Sequence, residues 1–447
     1  MDRRTLLGCA AVGAMLAFGP SIAAPRRKPN FIIIYTDDLG YGDTNLYGND
    51  LIRTPNIGAL GSEGTVLTNY YAPANLCTPS RAGLITGRYP IRAGLSYVLR
   101  PASQEGLSPT QPTIPKLLKP AGYTSAHIGK WHMGEHGQYW PPTVHGYDYF
   151  YGIPHSHDQW PLSISEARAD QVRDEQILDV KNLQEQFYIH GEQFIEENAS
   201  KPFFVNMSFS SPHHPSWVPD KFVGATKAGE YGDTIAELDS FVGRLMKKLR
   251  DLKIDRDTMV IFTSDNGPWF WGSSGGLRDR KSASGYDGGY KVPFVARLPG
   301  VIKAGQRSDA IASGIDILPM LCRLAGAALP TVPIDGVDMT PVLASGAPAQ
   351  REEIVLWSGE DLVGIRTQRW KYLENLPSAR YGYTELYDMR ADPTESYNVR
   401  SMHPEVVADM KRRFDRAKAL FDPMRLRPKA RIEPTRFLGD PRSIWPD

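Results

Sequence analysis

Short, uninterrupted apolar runs alternate with amphipathic stretches over most of the chain. The run Phe31–Thr36 (FIIIYT) is β-rich throughout and ends in two aspartates, the pattern of a strand buried on both faces. Similar runs at Thr124–Ile128, Phe203–Phe209, Met259–Thr263 and Phe294–Leu298 predict further strands. Between them, Ile114–Lys119 predicts a short helix. Thr234–Leu249 predicts a longer one, with Ile235, Leu238, Phe241, Val242, Leu245 and Leu249 on a single stripe. After a loop at Pro299–Ser308, helical periodicity resumes over Ala310–Leu329 through Ile315, Ile317, Leu318, Leu321, Cys322 and Leu324. Strands alternating with helices argue for an α/β fold, a mixed or mostly parallel sheet covered on both faces. Ligands of such sheets gather at the carboxyl ends of strands, so the chemistry is expected where each strand stops.

The pattern changes near residue 340. The segment 340–353 (TPVLASGAPAQREE) reads as a junction. Ile354–Trp357, Leu362–Arg366 and Trp370–Glu374 read as short strands, 385–395 (ELYDMRADPTE) as turn-rich, and Val406–Ala419 as a helix. A catalytic domain over 25–349 would thus be followed by a small α+β domain over 350–425. Residues 426–447, rich in proline and arginine, would form a tail along the surface.

The amino terminus has its own signature. A basic start, an apolar run from Leu6 to Phe18 and small residues at Ser21, Ala23 and Ala24 predict an export signal over 1–24, and Arg3-Arg4 followed by Thr5-Leu6-Leu7 resembles a twin-arginine signal. The apolar run is too short for a stable membrane span. Leu6–Cys9 has a faint likeness to a lipoprotein box, but almost no apolar stretch precedes Cys9. An exported, periplasmic or extracellular protein is expected. Of three cysteines, removal of the signal leaves Cys77 and Cys322, too few for a disulfide framework. With 41% apolar and 23% charged residues and a formal net charge of +1, the chain is an ordinary globular mix, and nothing points to nucleic acid as a partner. The sequence leaves the oligomeric state open.

At the predicted strand ends, Asp37 and Asp38 follow the first strand, and Asp265 and Asn266 follow a later one (FTSDNG). Adjacent carboxylates repel and demand a cation or several donors. Three carboxylates and an amide oxygen suit calcium, or less readily magnesium, better than zinc. Lys130 and His132 follow the strand ending at Ile128; His213 and His214 follow Phe209. Cys77 opens a predicted helix, with Pro79 in its first turn and Gly87 at its end. The free N–H groups of such a helix start favour an anion, to which Arg81 adds donors one turn further on. From the residues alone Cys77 can be an apolar filler or a nucleophile.

The segment Cys77–Arg88 (CTPSRAGLITGR) resembles the modification signature of the sulfatase family, in which Cys-x-Pro-x-Arg directs oxidation of the cysteine to Cα-formylglycine. The resemblance extends from Asn30 to Asp392–Glu395. Through DDLGYGDTNLYG, GKWHMG, GIPHSHDQWP and SDNGPWFWG it is greatest toward the arylsulfatase A and N-acetylgalactosamine-6-sulfatase branch. It implies an alkaline-phosphatase-like fold: a large mixed β-sheet between helices, with a smaller antiparallel sheet and helix at the carboxyl end. It also implies that Asp37, Asp38, Asp265, Asn266 and modified Cys77 hold calcium, that Arg81 fixes the formylglycine hydrate, and that Lys130 contacts hydrate and sulfate. His132 would orient or deprotonate the hydrate, Ser156 would contact sulfate, and His213 would donate to the leaving oxygen with His214 as its neighbour. The family's second lysine stands five residues before the acidic residue of its EGG motif. Here Ser282 occupies that position before Asp287, and Lys281, one residue earlier, is the expected substitute ahead of Lys291.

The implied reaction is hydrolysis of a sulfate monoester, aryl or of a galactose or N-acetylgalactosamine type, through a sulfoenzyme intermediate. The partners would be a sulfated small molecule or glycan and a formylglycine-generating enzyme. A phosphonate or phosphate monoester hydrolase with the same nucleophile, or a non-catalytic sulfated-glycan binder, are the alternatives. Trp131, Trp140, Trp160, Trp217, Trp269 and Trp271 fall near the expected site loops, as wall or as anchors. His155, His157 and Asp158 adjoin Ser156 and would line the pocket or hold its loop.

Overall fold

The structure, a computed structural model, describes residues 27–160, 162–168, 171–176, 179–282, 285–374 and 384–426. The predicted export segment and the predicted tail beyond residue 426 lie outside the described residues.

The five predicted strands form the body of one ten-stranded sheet. Its order is Gln306–Ser308, Thr65–Leu67, Phe294–Arg297, Thr258–Ser264, Asn30–Asp37, Phe203–Pro212, Thr124–Gly129, Tyr149–Gly152, Ser163–Arg168 and Gln171–Gln176. The central strands run parallel, and Phe294–Arg297 and the hairpin at 163–176 are antiparallel to their neighbours. Asn30–Asp37 explains why an uninterrupted apolar run is needed at the centre. Phe31, Ile33 and Tyr35 enter the core on one face, and Ile32 and Ile34 the core on the other. Each such side chain contributes roughly 1.5–3 kcal/mol on burial. The second face is covered by the helices Leu183–Asn198 and Gly229–Asp251, the latter through the predicted stripe.

Register brings the carboxyl ends of the parallel strands level. Asp37 lies opposite Pro212, Thr36 opposite Ser264, and Gly129 opposite Ser208. At Gly129 the chain turns out of the sheet with φ +106°, and a Cβ there would stand 2.0 Å from the Ser208 carbonyl oxygen. Only glycine permits that approach.

The structure departs from the sequence expectations in three places. The helix expected over Ala310–Leu329 spans only Ile317–Ala325. It is preceded by a two-residue strand beside Tyr70–Tyr71 and a 3-10 turn at Gly314–Asp316. Asp316 fixes this entry by accepting from the N–H groups of Ser313 and Val337, both at 2.8 Å, and from Arg351 Nε at 2.9 Å. The turn-rich segment at 385–395 opens with a strand, Glu385–Asp388, whose pairing with Trp370–Leu373 is set by a distant partner. The polar hairpin at 163–176, an exposed sheet edge, carries too few apolar positions to be read as strands.

The carboxyl-terminal region is a four-stranded antiparallel sheet, Ile354–Ser358, Asp361–Arg366, Trp370–Leu373 and Glu385–Asp388, with one helix, Pro404–Phe421. Met410, Phe414, Ala417 and Phe421 of the helix pack with Val355, Ile365 and Tyr372 of the sheet and with Tyr89 and Ile91 of the larger body. A buried charge cluster joins the two layers. Lys371 Nζ lies 2.8 Å from Asp287 Oδ1 and 2.6 Å from Glu395 Oε1, Glu395 accepts from the Asp287 N–H, and Tyr71 donates to Asp287. No described helix is long and apolar enough to cross a membrane.

Two predictions follow from these layers. Glu237, on the buried face of Gly229–Asp251, has no hydrogen-bond partner for either carboxylate oxygen among the described residues; burial, then Glu185, push its pKa up to about 8. The folded state therefore binds a proton that the unfolded chain releases near pH 4.5, and stability attributable to this group falls as pH rises from there through 8. The Tm advantage of Glu237→Gln over the unaltered protein should grow by several degrees between pH 5 and pH 9; a pH-independent difference would refute the assignment. Lys371→Met strands two buried carboxylates and should cost about 3–5 kcal/mol in denaturant unfolding. A loss below about 1 kcal/mol would mean that the cluster adds little.

Candidate active site

Five parallel-strand ends and one helix start surround a cavity of about 650 Å³, lined by Asp38, Cys77, His132, Ser156, His213 and Lys281 among others. The Cys77–Thr86 helix is buried along its whole length and ends at Gly87 in the left-handed conformation. This places Cys77 at its opening turn and sends Arg81 under the cavity floor. Arg81 Nη2 donates to Asp265 Oδ2 at 2.6 Å and stands 3.5 Å from Asp37 Oδ1. Its Nη1 donates to Ser208 Oγ at 2.6 Å and to the Lys130 carbonyl at 3.1 Å. One guanidinium thus ties four strands together near their carboxyl ends.

Lys130 Nζ donates to Asp37 Oδ2 at 2.6 Å and to Ser156 Oγ at 3.0 Å. Lys281 Nζ donates to Asp38 Oδ2 at 2.8 Å, and His213 Nε2 lies 3.6 Å from the same oxygen. Asp37, Asp38 and Asp265 bring carboxylate oxygens within 4.8 Å of one another, all buried. Burial works to raise Asp37, but Lys130, His213, Arg81 and Lys281 hold it well below the usual carboxylate range. Burial and the neighbouring Asp37 push Asp265 up to about 7, against the opposing pull of Arg81. The third carboxylate is therefore the one that the protein's own cations leave under-compensated.

These residues fit a hard divalent cation. Asp37 Oδ1 and Asn266 Oδ1 are buried and accept no hydrogen bond among the described residues. The Asn266 amide nitrogen, donating to Asp38 Oδ1 at 2.7 Å and the Gly267 carbonyl at 2.8 Å, fixes which end of the side chain presents oxygen. An oxygen-only set of this kind could hold calcium or magnesium. Asn266 is braced from behind: the Gly267 N–H donates to the Gly289 carbonyl, in the turn whose Asp287 is held by Lys371 and Glu395.

The remaining groups are poised for proton transfer and anion binding. His132 Nε2 donates to the Leu99 carbonyl at 2.9 Å, so Nδ1 is the acceptor nitrogen, and it has no partner among the described residues. Burial, then Lys130, keep this imidazole neutral by holding its pKa well below the ordinary range. Burial raises the Cys77 thiol despite Lys130 and Lys281, leaving it protonated and a poor nucleophile at neutral pH. Asp38, His132 and Ser282 all have positive φ, 65°, 58° and 65°, and all line the cavity. Such conformations cost on the order of 1–3 kcal/mol each and persist where surrounding packing enforces them.

All eleven expected site residues meet here, Asn266 and Asp265 from beneath. Lys281, one residue early in sequence, reaches Asp38, whereas Lys291 lies against the Tyr41 ring, 4.9 Å from its centroid. Of the tryptophans, Trp269 and Trp271 line the cavity. Trp131 is fully buried beside His127 and His145, Trp140 packs on Phe150, and Trp217 packs on His157. Asp158 lines the cavity, but His155 faces Glu135 and His157 contacts the Pro215 carbonyl. Sequence reasoning missed Ser208, a serine inside an apolar strand with no local signal, and also Tyr97, Val98, Arg100 and Gln159 on the cavity wall.

Comparison with known proteins gives the arrangement its family. Residues 29–327 match the Sulfatase family model, and residues 277–419 match that of the N-sulphoglucosamine sulphohydrolase carboxyl-terminal region. Arylsulfatase A of Homo sapiens is 33% identical, the match covering 89% of this chain and 88% of that protein. N-acetylgalactosamine-6-sulfatase of Canis lupus familiaris is also 33% identical, over 79% of this chain and 73% of that one. The crystal structure of the PsFucS1 sulfatase from Pseudoalteromonas sp. superposes with a TM-score of 0.82 at 28% identity, covering 89% of this chain and 91% of that one. With a large mixed sheet between helices and a smaller carboxyl-terminal antiparallel sheet and helix, the fold is the alkaline-phosphatase-like fold of those enzymes. The chain belongs to the formylglycine-dependent sulfatases, a family of sulfuric-ester hydrolases.

Proposed function

We propose that this protein hydrolyses sulfate monoesters of aryl alcohols or of galactose- or N-acetylgalactosamine-type sugars, with Cys77 converted to formylglycine and calcium held by Asp37, Asp38, Asp265, Asn266 and the modified residue. The observation that carries the reading is the meeting, around buried Cys77, of Arg81, Lys130 and Lys281 with two buried oxygens that accept no hydrogen bond among the described residues. The formylglycine hydrate would supply two geminal hydroxyls, one to attack sulfur and one whose deprotonation lets the aldehyde reform as sulfate leaves. The cation would supply the positive charge that three carboxylates, already offset by three basic side chains, otherwise cancel.

The side chains divide the remaining work. Lys130, Lys281 and Ser156 contact the sulfuryl oxygens and stabilise charge as the ester bond breaks. His132, neutral with a free acceptor nitrogen, takes a proton from the hydrate. His213, at the cavity mouth beside Asp38, gives a proton to the departing alcohol. Arg81 stays beneath, fixing Asp37 and Asp265 relative to residue 77. An export signal over residues 1–24 and a periplasmic or extracellular location complete the proposal.

Full-length protein co-expressed with a formylglycine-generating activity should carry the aldehyde at position 77 by peptide mass analysis and release inorganic sulfate from a generic aryl sulfate. Cys77→Ser should release at most one sulfate per enzyme. Verified formylglycine with turnover of a phosphonate monoester but of no sulfate ester would overturn the reading in favour of the rival hydrolase. The cation has a separate readout: calcium added to chelator-treated protein at about a hundred times its Kd should stabilise the fold by about 2.7 kcal/mol. Asp265→Asn should abolish that rise in Tm; an undiminished rise would remove Asp265 from the ligand set.

A further inference from the structure

The same cavity carries one cationic side chain that the reaction does not use. Arg100 lines it, and also lines a small adjoining cavity shared with His132 and Glu135. Its backbone is fixed to the site on one side: the preceding residue, Leu99, receives a hydrogen bond from His132 at its carbonyl and donates its N–H to Thr78 Oγ1 at 3.2 Å, in the helix that begins at Cys77. On the other side, the Arg100 N–H donates to Ser103 Oγ at 2.9 Å and its carbonyl accepts from the Ser103 N–H at 2.8 Å. The guanidinium itself makes no ion pair or hydrogen bond among the described residues, and the residue is exposed where it lines the cavity. A long cationic side chain is thus held on a rigid base with its head uncommitted.

The nearby charges do not claim it. Glu135 faces His136 at 3.7 Å and His155 at 3.8 Å. Asp158, also on the cavity wall, is raised by burial but held below the usual carboxylate range by His213, a hydrogen bond from Ser156, and Lys130. Lys281 is taken by Asp38. On the same wall, Trp271 stacks on His214 at 4.0 Å between ring centroids, and Arg280 donates to the Trp269 carbonyl, fixing the loop that presents both indoles. Flat aromatic faces suit a sugar ring, and a free guanidinium in a cleft suits a planar or tetrahedral oxyanion.

We propose that Arg100 reads a second anionic group on the alcohol side of the substrate, so that the natural substrates are sulfated saccharides bearing a further sulfate or a carboxylate near the ester that is cut. This rests on the sulfate-ester reading of the site and narrows it: a neutral aryl or singly sulfated sugar leaves Arg100 without a partner. The contribution is made in binding, because the second anion does not change charge during the reaction, and it therefore falls mainly on KM. It is also weakened by salt, since the guanidinium is exposed.

The test uses formylglycine-bearing full-length enzyme and a matched panel: a singly sulfated galactose, its disulfated counterpart, and a disaccharide joining the singly sulfated sugar to a uronate. Sulfate release at low salt should favour the disulfated or the uronate-linked member by about tenfold or more in kcat/KM, and the preferred member identifies the second group. Arg100→Gln should shrink that preference to within about threefold through KM, and Arg100→Lys should keep part of it. An equal loss on singly and doubly charged members, or an intact preference in Arg100→Gln, overturns the proposal. Absence of sulfate release from every member by enzyme that does cleave a generic aryl sulfate overturns this proposal alone; absence from the aryl sulfate as well, with formylglycine verified, overturns the sulfatase reading and the proposal with it.

Discussion

Asp37, Asp38 and Asp265 converge with their side chains almost wholly buried, and the architecture of the site follows from that crowding. Taking carboxylates out of solvent costs several kcal/mol each unless cations and hydrogen bonds replace the lost hydration. Arg81 is the group that makes the arrangement tenable, because its fork reaches Asp265, Asp37 and Ser208 at once from the interior of a buried helix. Lys130, fully buried, and Lys281, on the cavity wall, complete the compensation. The strand register is constrained in turn: a slip of one residue between Asn30–Asp37 and either neighbour would send the carboxylates to opposite faces and leave the guanidinium unpaired.

That compensation also sets the electrostatic character of the cavity. The whole chain is nearly neutral, with a formal net charge of +1, so attraction of an anionic ester is a local property. In the proposed reaction Lys130 and Lys281, which satisfy carboxylates in the resting protein, are also the groups that contact sulfate. A hard cation among the oxygens would free part of that positive charge for the substrate. The backbone is left-handed at both Asp38 and His132, just beyond two of the strand ends.

The smaller carboxyl-terminal sheet participates through a chain of buried contacts. Lys371 and Glu395 hold Asp287, and the Asp287–Tyr290 turn receives the Gly267 N–H immediately after Asn266. Arg366 donates to Tyr71, which donates to Asp287, so the second sheet meets the same turn from another side. The region therefore supports the Asn266 face of the oxygen cluster. Lys281 stands a few residues before this turn, which relates the position of the lysine to packing far along the sequence.

The sequence by itself determined the elements whose environment is uniform along their length. Strands buried on both faces, such as Phe31–Thr36, need an apolar residue at every position, and a helix such as Thr234–Leu249 needs one apolar stripe; both patterns are local. It also pointed to candidate site residues, through the ionisable side chains at strand ends and the likeness of the CTPSR segment to the sulfatase signature, and the fold brings these candidates together around one cavity. Elements stabilised by distant partners escaped it: the polar edge hairpin at 163–176, the Glu385–Asp388 strand and the irregular entry to Ile317–Ala325. Tertiary structure alone decided that Trp269 and Trp271 but not Trp131 face the cavity, and that Arg100 is held near His132 with its charge unclaimed among the described residues. Those outcomes depend on which backbone groups meet across the sheet ends, and spacing along one chain carries no record of such long-range hydrogen bonds.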